Sequence, residues 1–213
     1  MLTVKSFCFN PFSENTYLVA APDGTCALID PGCHSTAEKS LLASYVKENE
    51  LRPVLFLNTH CHIDHVFGNN FVHSTWKLPL HIHQADQVVL DYAPIAGDMY
   101  QVPCEQYVGE VNYLNAGDSW QLGGEEVHCL FTPGHSPGSL SFYCPGSGWV
   151  ISGDVLFQGS VGRTDLPGGN ADQLMQSIRE QLYVLPDDTV VYSGHGPATT
   201  IGQEKRSNPF VRG

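Results

Sequence analysis

The stretch His60-Cys61-His62-Ile63-Asp64-His65 places four possible metal ligands within six residues. It follows the apolar run Val54-Leu55-Phe56-Leu57, which has the length and composition of a buried strand. A strand that ends in a turn can direct several of these side chains toward one point. Imidazole and carboxylate together suit zinc, iron or manganese. The stretch therefore predicts a metal site at the end of a β-strand.

Three later segments each carry one further ligand where an apolar run gives way to a turn that contains glycine. They are Thr132-Pro133-Gly134-His135-Ser136-Pro137-Gly138, Ser152-Gly153-Asp154 and Ser193-Gly194-His195-Gly196. With His135, Asp154 and His195 the chain offers seven ligands, which is enough for two metal ions. Structural zinc sites are usually closed and rich in cysteine. Histidine and aspartate leave room for water, so we predict a catalytic centre.

The composition limits the class of protein. With 213 residues, 42% hydrophobic and 15% charged, the chain is expected to form one globular domain over 1–213. Its net charge of −12 argues against a nucleic-acid partner, because proteins that bind nucleic acids usually have a basic surface. The N-terminal residues lack the apolar core of a signal peptide, and no run is long enough for a membrane span. No pattern indicates an oligomeric state.

The other histidines and the cysteines show no sign of chemistry. His34, His73, His81, His83 and His128 are expected to be ordinary surface or core residues. The seven cysteines are scattered, with no C-x-x-C pair, which predicts reduced thiols in a cytoplasmic protein. Cys61 lies between two ligands, and we expect it to be a small buried filler.

The hydrophobic pattern alternates between short strands and helices. The predicted strands are Thr3–Phe9, Asn15–Ala20, Thr25–Asp30, Val54–Thr59, Leu78–His83, Val127–Thr132, Leu140–Cys144, Trp149–Ser152 and Thr189–Ser193. The predicted helices are Ser35–Glu50, Val66–Thr75, Gln84–Asp91 and Ala171–Leu182, and Ala93–Gly109 is predicted to be a loop. This pattern favours a mixed α/β (α+β) fold in which two sheets pack face to face with helices outside.

The ligand pattern resembles the metallo-β-lactamase superfamily. The resemblance rests on Thr59-His60-Cys61-His62-Ile63-Asp64-His65 with His135, Asp154 and His195, and it runs from about Thr16 to His195. The segments around the later ligands are typical of the glyoxalase II-like branch; they are Thr132–Gly138, Gly153–Phe157 and Gly159–Pro167. The resemblance implies an αββα sandwich of two mixed β-sheets with the metals at one edge. It also implies one domain over 1–213, without the helical glutathione-binding domain that follows in full-length glyoxalase II.

The resemblance implies a division of the ligands between two ions. His60, His62 and His135 would hold the first ion, and Asp64, His65 and His195 the second, with Asp154 bridging the two. Zinc is the expected metal, with iron and manganese as alternatives. A hydroxide shared by the two ions would attack a carbonyl, and Asp64 would orient it.

The implied activity is hydrolysis of a small thioester, S-lactoylglutathione or a related acyl-thiol. Hydrolysis of antibiotics is not expected, because the best-known β-lactamase branch has cysteine at the position that matches Asp154. Arg163, Lys205 and Arg206 are candidates for contacts with an anionic substrate. A structural ion pair is the alternative for Arg163, and a solvated turn is the alternative for Lys205 and Arg206.

Two other functions remain open at this point. The persulfide dioxygenases share the fold, bind one iron through two histidines and an aspartate, and also resemble Gly162-Arg163-Thr164-Asp165. The surroundings Gly194-His195-Gly196 are closer to the hydrolases, which favours two metals. A catalytically silent binding protein is disfavoured because all seven ligands are intact.

Overall fold

Two six-stranded sheets make up the centre of the fold in the computed structural model, which describes residues 1–212. The first sheet contains β1 (Thr3–Phe9), β2 (Glu14–Ala20), β3 (Thr25–Ile29), β4 (Arg52–Leu57), β5 (Leu80–Ile82) and β6 (Val111–Tyr113), in that order. The second contains β7 (Ser119–Leu122), β8 (Glu125–Phe131), β9 (Leu140–Cys144), β10 (Trp149–Gly153), β13 (Val190–Ser193) and β14 (Thr199–Thr200). A separate hairpin pairs β11 (Leu156–Phe157) with β12 (Ser160–Val161).

Both sheets are mixed. In the first sheet β1, β2 and β3 pair antiparallel, and β3 to β6 pair parallel. In the second, β7 to β10 pair antiparallel, β10 pairs parallel with β13, and β13 pairs antiparallel with β14. The helices are α1 (Thr36–Glu48), α2 (Ile63–Val66), α3 (Asn69–Trp76), α4 (Gln87–Tyr100), α5 (Ala171–Ser177) and α6 (Ile201–Ser207). The predicted αββα sandwich is confirmed.

Three apolar clusters hold the layers together. Alternate residues of a strand face opposite sides, so on β3 Ile29 packs between the sheets and Leu28 packs under the helices. The inner cluster joins the two sheets, for example Ile29 and Phe142. The first outer cluster includes Leu42 of α1 and Leu90 of α4, and the second includes residues of α5 and α6. Strands buried on both faces explain the continuous apolar runs in the sequence.

The predicted loop over Ala93–Gly109 is wrong in its first half. Helix α4 continues through Pro94 to Tyr100 and ends at Gln101, which adopts a left-handed conformation with φ of 58°. Its buried face packs against the first sheet through Leu90 and Ala93. This packing outweighs the lost hydrogen bond at the proline, which usually ends or kinks a helix.

Two predicted helices are interrupted. Val66–Thr75 is split into α2 and α3 at Gly68, where a Cβ atom would lie 2.5 Å from the Pro31 carbonyl oxygen. The helix expected over Ala171–Leu182 is α-helical only to Ser177 and continues as a π-helical turn over Ile178–Leu182.

Among residues 1–212, no helix has both the length and the apolar character needed to cross a membrane. The single domain without a helical glutathione-binding domain, the cytoplasmic location and the lack of a nucleic-acid partner stay predictions.

Candidate metal centre

Four strand ends bring the seven predicted ligands to one edge of the sandwich. The segment after β4 carries His60 and His62 and enters α2 with Asp64 and His65. The segments after β8, β10 and β13 carry the other three, His135, Asp154 and His195. Two hydrogen bonds join the sheets beside them, from the Leu140 amide to the Thr59 carbonyl (2.8 Å) and from the Asn15 amide to the Gly194 carbonyl (2.7 Å). These hydrogen bonds hold the two sheets together at the edge that carries the ligands.

Three imidazoles point their nitrogen atoms at one another. Nε2 of His135 lies 2.8 Å from Nδ1 of His62 and 3.2 Å from Nε2 of His60. Tetrahedral zinc with Zn–N bonds of ~2.0–2.1 Å separates its nitrogen ligands by about 3.3 Å. The spacing of His60, His62 and His135 therefore suits one metal ion.

A second group lies beside the first. Nε2 of His195 is 3.1 Å from Oδ2 of Asp64, and Nε2 of His65 is 3.7 Å from the same oxygen. Asp154 lies between the two groups: its Oδ1 is 3.5 Å from His65, and its Oδ2 is 3.5 Å from both His135 and His195. One carboxylate is thus within reach of both groups, the arrangement expected of a bridging ligand.

Buried polar atoms without hydrogen-bond partners are concentrated here. Within residues 1–212, both ring nitrogens of His65 and Oδ1 of Asp154 lack a partner with hydrogen-bond geometry. Nδ1 of His65 is 3.1 Å from Oδ2 of Asp30, so the two groups attract each other although the angle misses that of a hydrogen bond. A buried polar atom left unpaired costs about 1–3 kcal/mol. A cation held by Nε2 of His65 and Oδ1 of Asp154 would remove that cost, so these residues fit a metal site.

The outward nitrogens of two ligands contact carbonyl oxygen atoms. Nδ1 of His135 is 2.8 Å from the Arg163 carbonyl oxygen, and Nδ1 of His195 is 3.2 Å from that of Ser13. Carbonyl oxygens accept only, so both rings have a proton on Nδ1 and direct Nε2 toward the other ligands. Such outer contacts are the usual means of orienting metal-binding histidines.

Asp30 is a buried carboxylate that links the two groups of ligands. It is fully buried, and its Oδ2 accepts a 2.6 Å hydrogen bond from the Thr59 hydroxyl. That hydroxyl in turn lies 3.1 Å from Nδ1 of His60, and Oδ2 of Asp30 also faces Nδ1 of His65. Since the Thr59 proton is given to Asp30, its oxygen accepts from His60. One carboxylate thus orients a ligand in each group, a role that the sequence did not indicate.

We expect Asp30→Asn to weaken metal binding by about 10- to 100-fold, the usual cost of losing an outer-sphere partner. The amide takes away the charge that faces His65 and one of the acceptors that hold Thr59. Competition with a chromogenic chelator measures the change. Asp172→Asn, at an exposed position on α5, serves as the control. Equal metal affinity in both variants would contradict the role of Asp30.

Asp86 fastens the two ligand loops to each other. It is buried, its Oδ2 accepts from the Cys61 amide (2.6 Å), and its Oδ1 accepts from the Ser136 hydroxyl and the Gly138 amide (2.6 Å each). Burial raises the pKa of Asp86, although these hydrogen bonds oppose the rise. Cys61 is itself fully buried, as expected of a filler. Nothing in the sequence pattern marked Asp86.

The electrostatics differ between the two groups. Burial, reinforced by neighbouring imidazoles, holds the pKa of His60 well below its usual value and lowers the pKa of His62 to about 3. These rings are neutral at pH 7, as metal binding requires. Burial also acts to lower the pKa of His195, but its hydrogen bonds to Asp154 and Asp64 prevail and raise it to about 10.

A cavity of about 840 Å³ opens onto the ligands. His62, Asp64, His135, Asp154 and His195 form its base. Most of the rest is apolar and comes from helix α4, the 163–168 segment and two phenylalanines. These residues are Val88, Val89, Tyr92, Ala93, Ala96, Met99, Tyr100, Leu166, Pro167, Gly168, Phe12 and Phe157. The cavity is large enough for a small-molecule substrate.

The three residues predicted to contact the substrate do not lie together in the fold. Arg163 lines the cavity but forms a bidentate pair with Asp165, with two contacts of 2.7 Å. Lys205 and Arg206, on α6, face Asp187 at 2.7 and 3.9 Å and are not among the residues that line the cavity. The fold therefore brings only Arg163 to the candidate site.

The comparisons with known proteins agree with this geometry. The family model for the metallo-β-lactamase superfamily matches residues 9–195. A probable metallo-hydrolase of Bacillus subtilis, YqgX, is 41% identical over 204 residues, covering 95% of this chain and 94% of its own. The hydroxyacylglutathione hydrolase GloC of Haemophilus influenzae is 34% identical over 206 residues, covering 94% of this chain and 93% of its own.

Solved structures give the same picture. The B3 metallo-β-lactamase BLEG-1 superposes with a TM-score of 0.91 at 35% identity, covering 99% of this chain and 100% of that one. TTHA1623, solved in a di-iron-bound form, superposes with a TM-score of 0.88 at 38% identity, covering 98% of this chain and 100% of that one. ETHE1 from Myxococcus xanthus superposes with a TM-score of 0.78 at 27% identity, covering 97% of this chain and 83% of that one.

Proposed function

This chain belongs to the metallo-β-lactamase superfamily, and from that premise we propose that it is a two-metal thioester hydrolase of the glyoxalase II type. Its substrate would be S-lactoylglutathione or a related acyl-thiol. The observation that carries the proposal is the position of Asp154, whose two oxygens face histidines of both ligand groups at 3.5 Å. The similarity to GloC, a hydroxyacylglutathione hydrolase, supports the reaction type.

The residues have distinct roles in this proposal. His60, His62 and His135 would hold one ion, Asp64, His65 and His195 the other, and Asp154 both. Bound divalent ions would lower the pKa of a water molecule toward ~7 and polarise the carbonyl of the substrate. Zinc is expected from the donor set. Iron is supported by the likeness to TTHA1623, which was solved with two irons.

The chain's own side chains would orient water and substrate. Asp64 lines the cavity and keeps 13% of its side chain exposed, so one oxygen can accept a hydrogen bond from water entering there. Attack of the water oxygen on the carbonyl carbon breaks the C–S bond and gives a carboxylic acid and a thiol. A leaving thiol with a pKa near ~8.5 needs no strong acid. Accordingly, the described lining carries no carboxyl group besides Asp64 and Asp154.

Oxidation of a persulfide on a single iron is the second candidate function. The stretch Gly162-Arg163-Thr164-Asp165, which resembles the persulfide dioxygenases, and the likeness to ETHE1 favour it. In this chain, however, the Arg163 carbonyl orients His135, and a Cβ at Gly162 would overlap the Asp154 carbonyl oxygen. These contacts support the ligands whichever metal is bound. The resemblance of the stretch therefore does not decide between the two reactions.

We expect the protein to release free thiol from S-lactoylglutathione or a simpler acyl-thiol at the same rate with and without air. Hydrolysis takes its oxygen from water, so dioxygen has no part in it. A thiol reagent follows the release, and an oxygen electrode follows a parallel reaction with glutathione persulfide. Oxygen uptake with the persulfide, and no thiol from any thioester, would favour the iron dioxygenase. A β-lactam should be tested as a further substrate because BLEG-1 is described as a B3 metallo-β-lactamase. We expect the protein to hydrolyse the β-lactam more slowly than the thioester.

We expect two metal ions per chain in protein purified without chelator. His60, His62 and His135 form one group of closely spaced ligands and Asp64, His65 and His195 another, with Asp154 between them, and filling the first group alone leaves Nε2 of His65 without a partner. Elemental analysis against protein concentration gives the ratio. A fully loaded preparation that saturates at one ion would contradict the dinuclear assignment.

A further inference from the structure

We infer that the substrate of this site carries an apolar acyl chain, which lies along helix α4, and that glutathione is not its preferred thiol. The inference rests on the proposed thioester hydrolysis for the reaction and on the cavity walls for the chemical class. It is carried by an exposed apolar face of α4 that lines the same cavity as the metal ligands, together with the scarcity of Lys and Arg side chains in that cavity.

The apolar face belongs to α4. Val88, Tyr92 and Met99 are spaced by about one and two helical turns, so they lie on one side of the helix. They are 67%, 40% and 69% exposed, and all three line the cavity. From Val88 to Met99 the helix rises about 16 Å. An apolar surface of this length matches an extended acyl chain.

Other apolar side chains that line the cavity extend from α4 to the metal ligands. The ring of Phe157 lies 6.3 Å from that of His195, and the ring of Phe12 lies 5.7 Å from that of Tyr100 at the end of α4. Leu166 lines the same cavity. A thioester carbonyl beside Asp154 and His195 would therefore have its acyl chain in a cavity lined mostly by apolar side chains. Burying each methylene there is favourable.

The charges do not suit glutathione. It carries two carboxylates and one ammonium group, and its carboxylates need cationic or donor partners to leave water. Arg163 is the only Lys or Arg side chain in the described lining, and Asp165 neutralises it. The whole chain carries a net charge of −12, which repels an anionic thiol. A neutral thiol with an apolar acyl group meets neither penalty.

The test uses thioesters of one neutral thiol, N-acetylcysteamine, with acetyl, butanoyl, hexanoyl and octanoyl groups, beside S-lactoylglutathione. Each methylene buried in the cavity should raise kcat/KM by about two- to fourfold. We expect hexanoyl to exceed acetyl by at least about tenfold and to exceed S-lactoylglutathione. The corresponding thioethers cannot be hydrolysed, so calorimetry with them measures binding without turnover.

A double variant of α4 and a control variant on α1 assign the effect to the face. Val88→Gln with Met99→Gln places amides on exposed positions that line the cavity, and it should reduce the preference for hexanoyl over acetyl by at least about fivefold. Leu41→Gln is the control, because Leu41 is 54% exposed on helix α1 and does not line the cavity. It should leave the preference unchanged, with equal metal content in all proteins.

The outcomes separate this inference from the proposed function. Thioester hydrolysis without dependence on chain length, or with S-lactoylglutathione preferred, overturns the inference and keeps the hydrolase. Thioether affinity that rises with chain length, without any hydrolysis, keeps the apolar subsite and overturns the hydrolase. A double variant that changes the oligomeric state but not the chain-length preference identifies the face as a contact between copies of the chain and overturns the inference.

Discussion

Asp154→Ala is expected to reduce kcat by more than about 100-fold, because loss of a bridging ligand should cost more than loss of an outer-sphere partner, which costs about 10- to 100-fold. The oxygens of Asp154 face both groups, with Oδ1 near His65 and Oδ2 near His135 and His195. Removing it leaves the two sets of imidazoles without a shared anion. Since the reacting water depends on the bound metals, the loss should be in kcat more than in KM. Elemental analysis of the same samples should show fewer than two ions per chain.

The matched control is His128→Ala. His128 lies in the middle of β8, is partly exposed, and has its ring 6.5 Å from that of Tyr143 on the neighbouring strand. We expect unchanged metal content and near-normal kcat. Similar mild losses in both variants would remove Asp154 from the candidate site. Comparable melting temperatures are needed to attribute the loss to the site.

The ligands were predictable because each follows a recognisable local pattern. His60, His135, Asp154 and His195 all come where an apolar strand ends, and strand ends of one sandwich can share an edge. The apolar runs and the turn residues that end them locate those strands without any knowledge of packing. The edge itself therefore follows from the sequence, while metal binding at the edge stays a prediction.

The groups that orient the ligands were not predictable in the same way. Asp30 follows β3, and Asp86 lies in a 3₁₀ turn before α4, yet both act on loops that are distant in sequence. An aspartate in a turn ordinarily stabilises that turn. Only the packed fold shows that these two carboxylates are buried and accept hydrogen bonds from the ligand loops.

The helix that forms one side of the cavity was not predicted, because it contains a proline. Pro94 made the 93–109 segment resemble a loop, although Leu90 and Ala93 bury one face of a helix that continues to Tyr100. Tertiary packing overrides local propensity here. The consequence is functional, since the exposed side of that helix supplies the apolar surface that we assign to an acyl chain.

Gly194 makes a close approach that the turn-like sequence did not reveal. Its φ is not in the left-handed region, unlike that of Gly196 at 72°. A Cβ at Gly194 would overlap Oδ1 of Asp154 and would lie 2.8 Å from Cε1 of His65. The backbone cannot retreat, because the Gly194 amide donates to the Gly153 carbonyl (2.8 Å) and its carbonyl accepts from the Asn15 amide (2.7 Å).

We therefore expect Gly194→Ala to cost about 100-fold or more in kcat, since a displacement of about 1 Å at a reacting centre has that effect. The Asp154 carboxylate has to turn away from His65, so at least one metal ion should be lost while the sheets stay intact by circular dichroism. Gly146→Ala is the control, because its added Cβ meets only the end of the flexible Glu125 side chain, at 2.8 Å. It should keep both ions and near-normal turnover. Full metal content and activity in Gly194→Ala would mean that Asp154 does not rest against this glycine, and the bridging role would lose its structural basis.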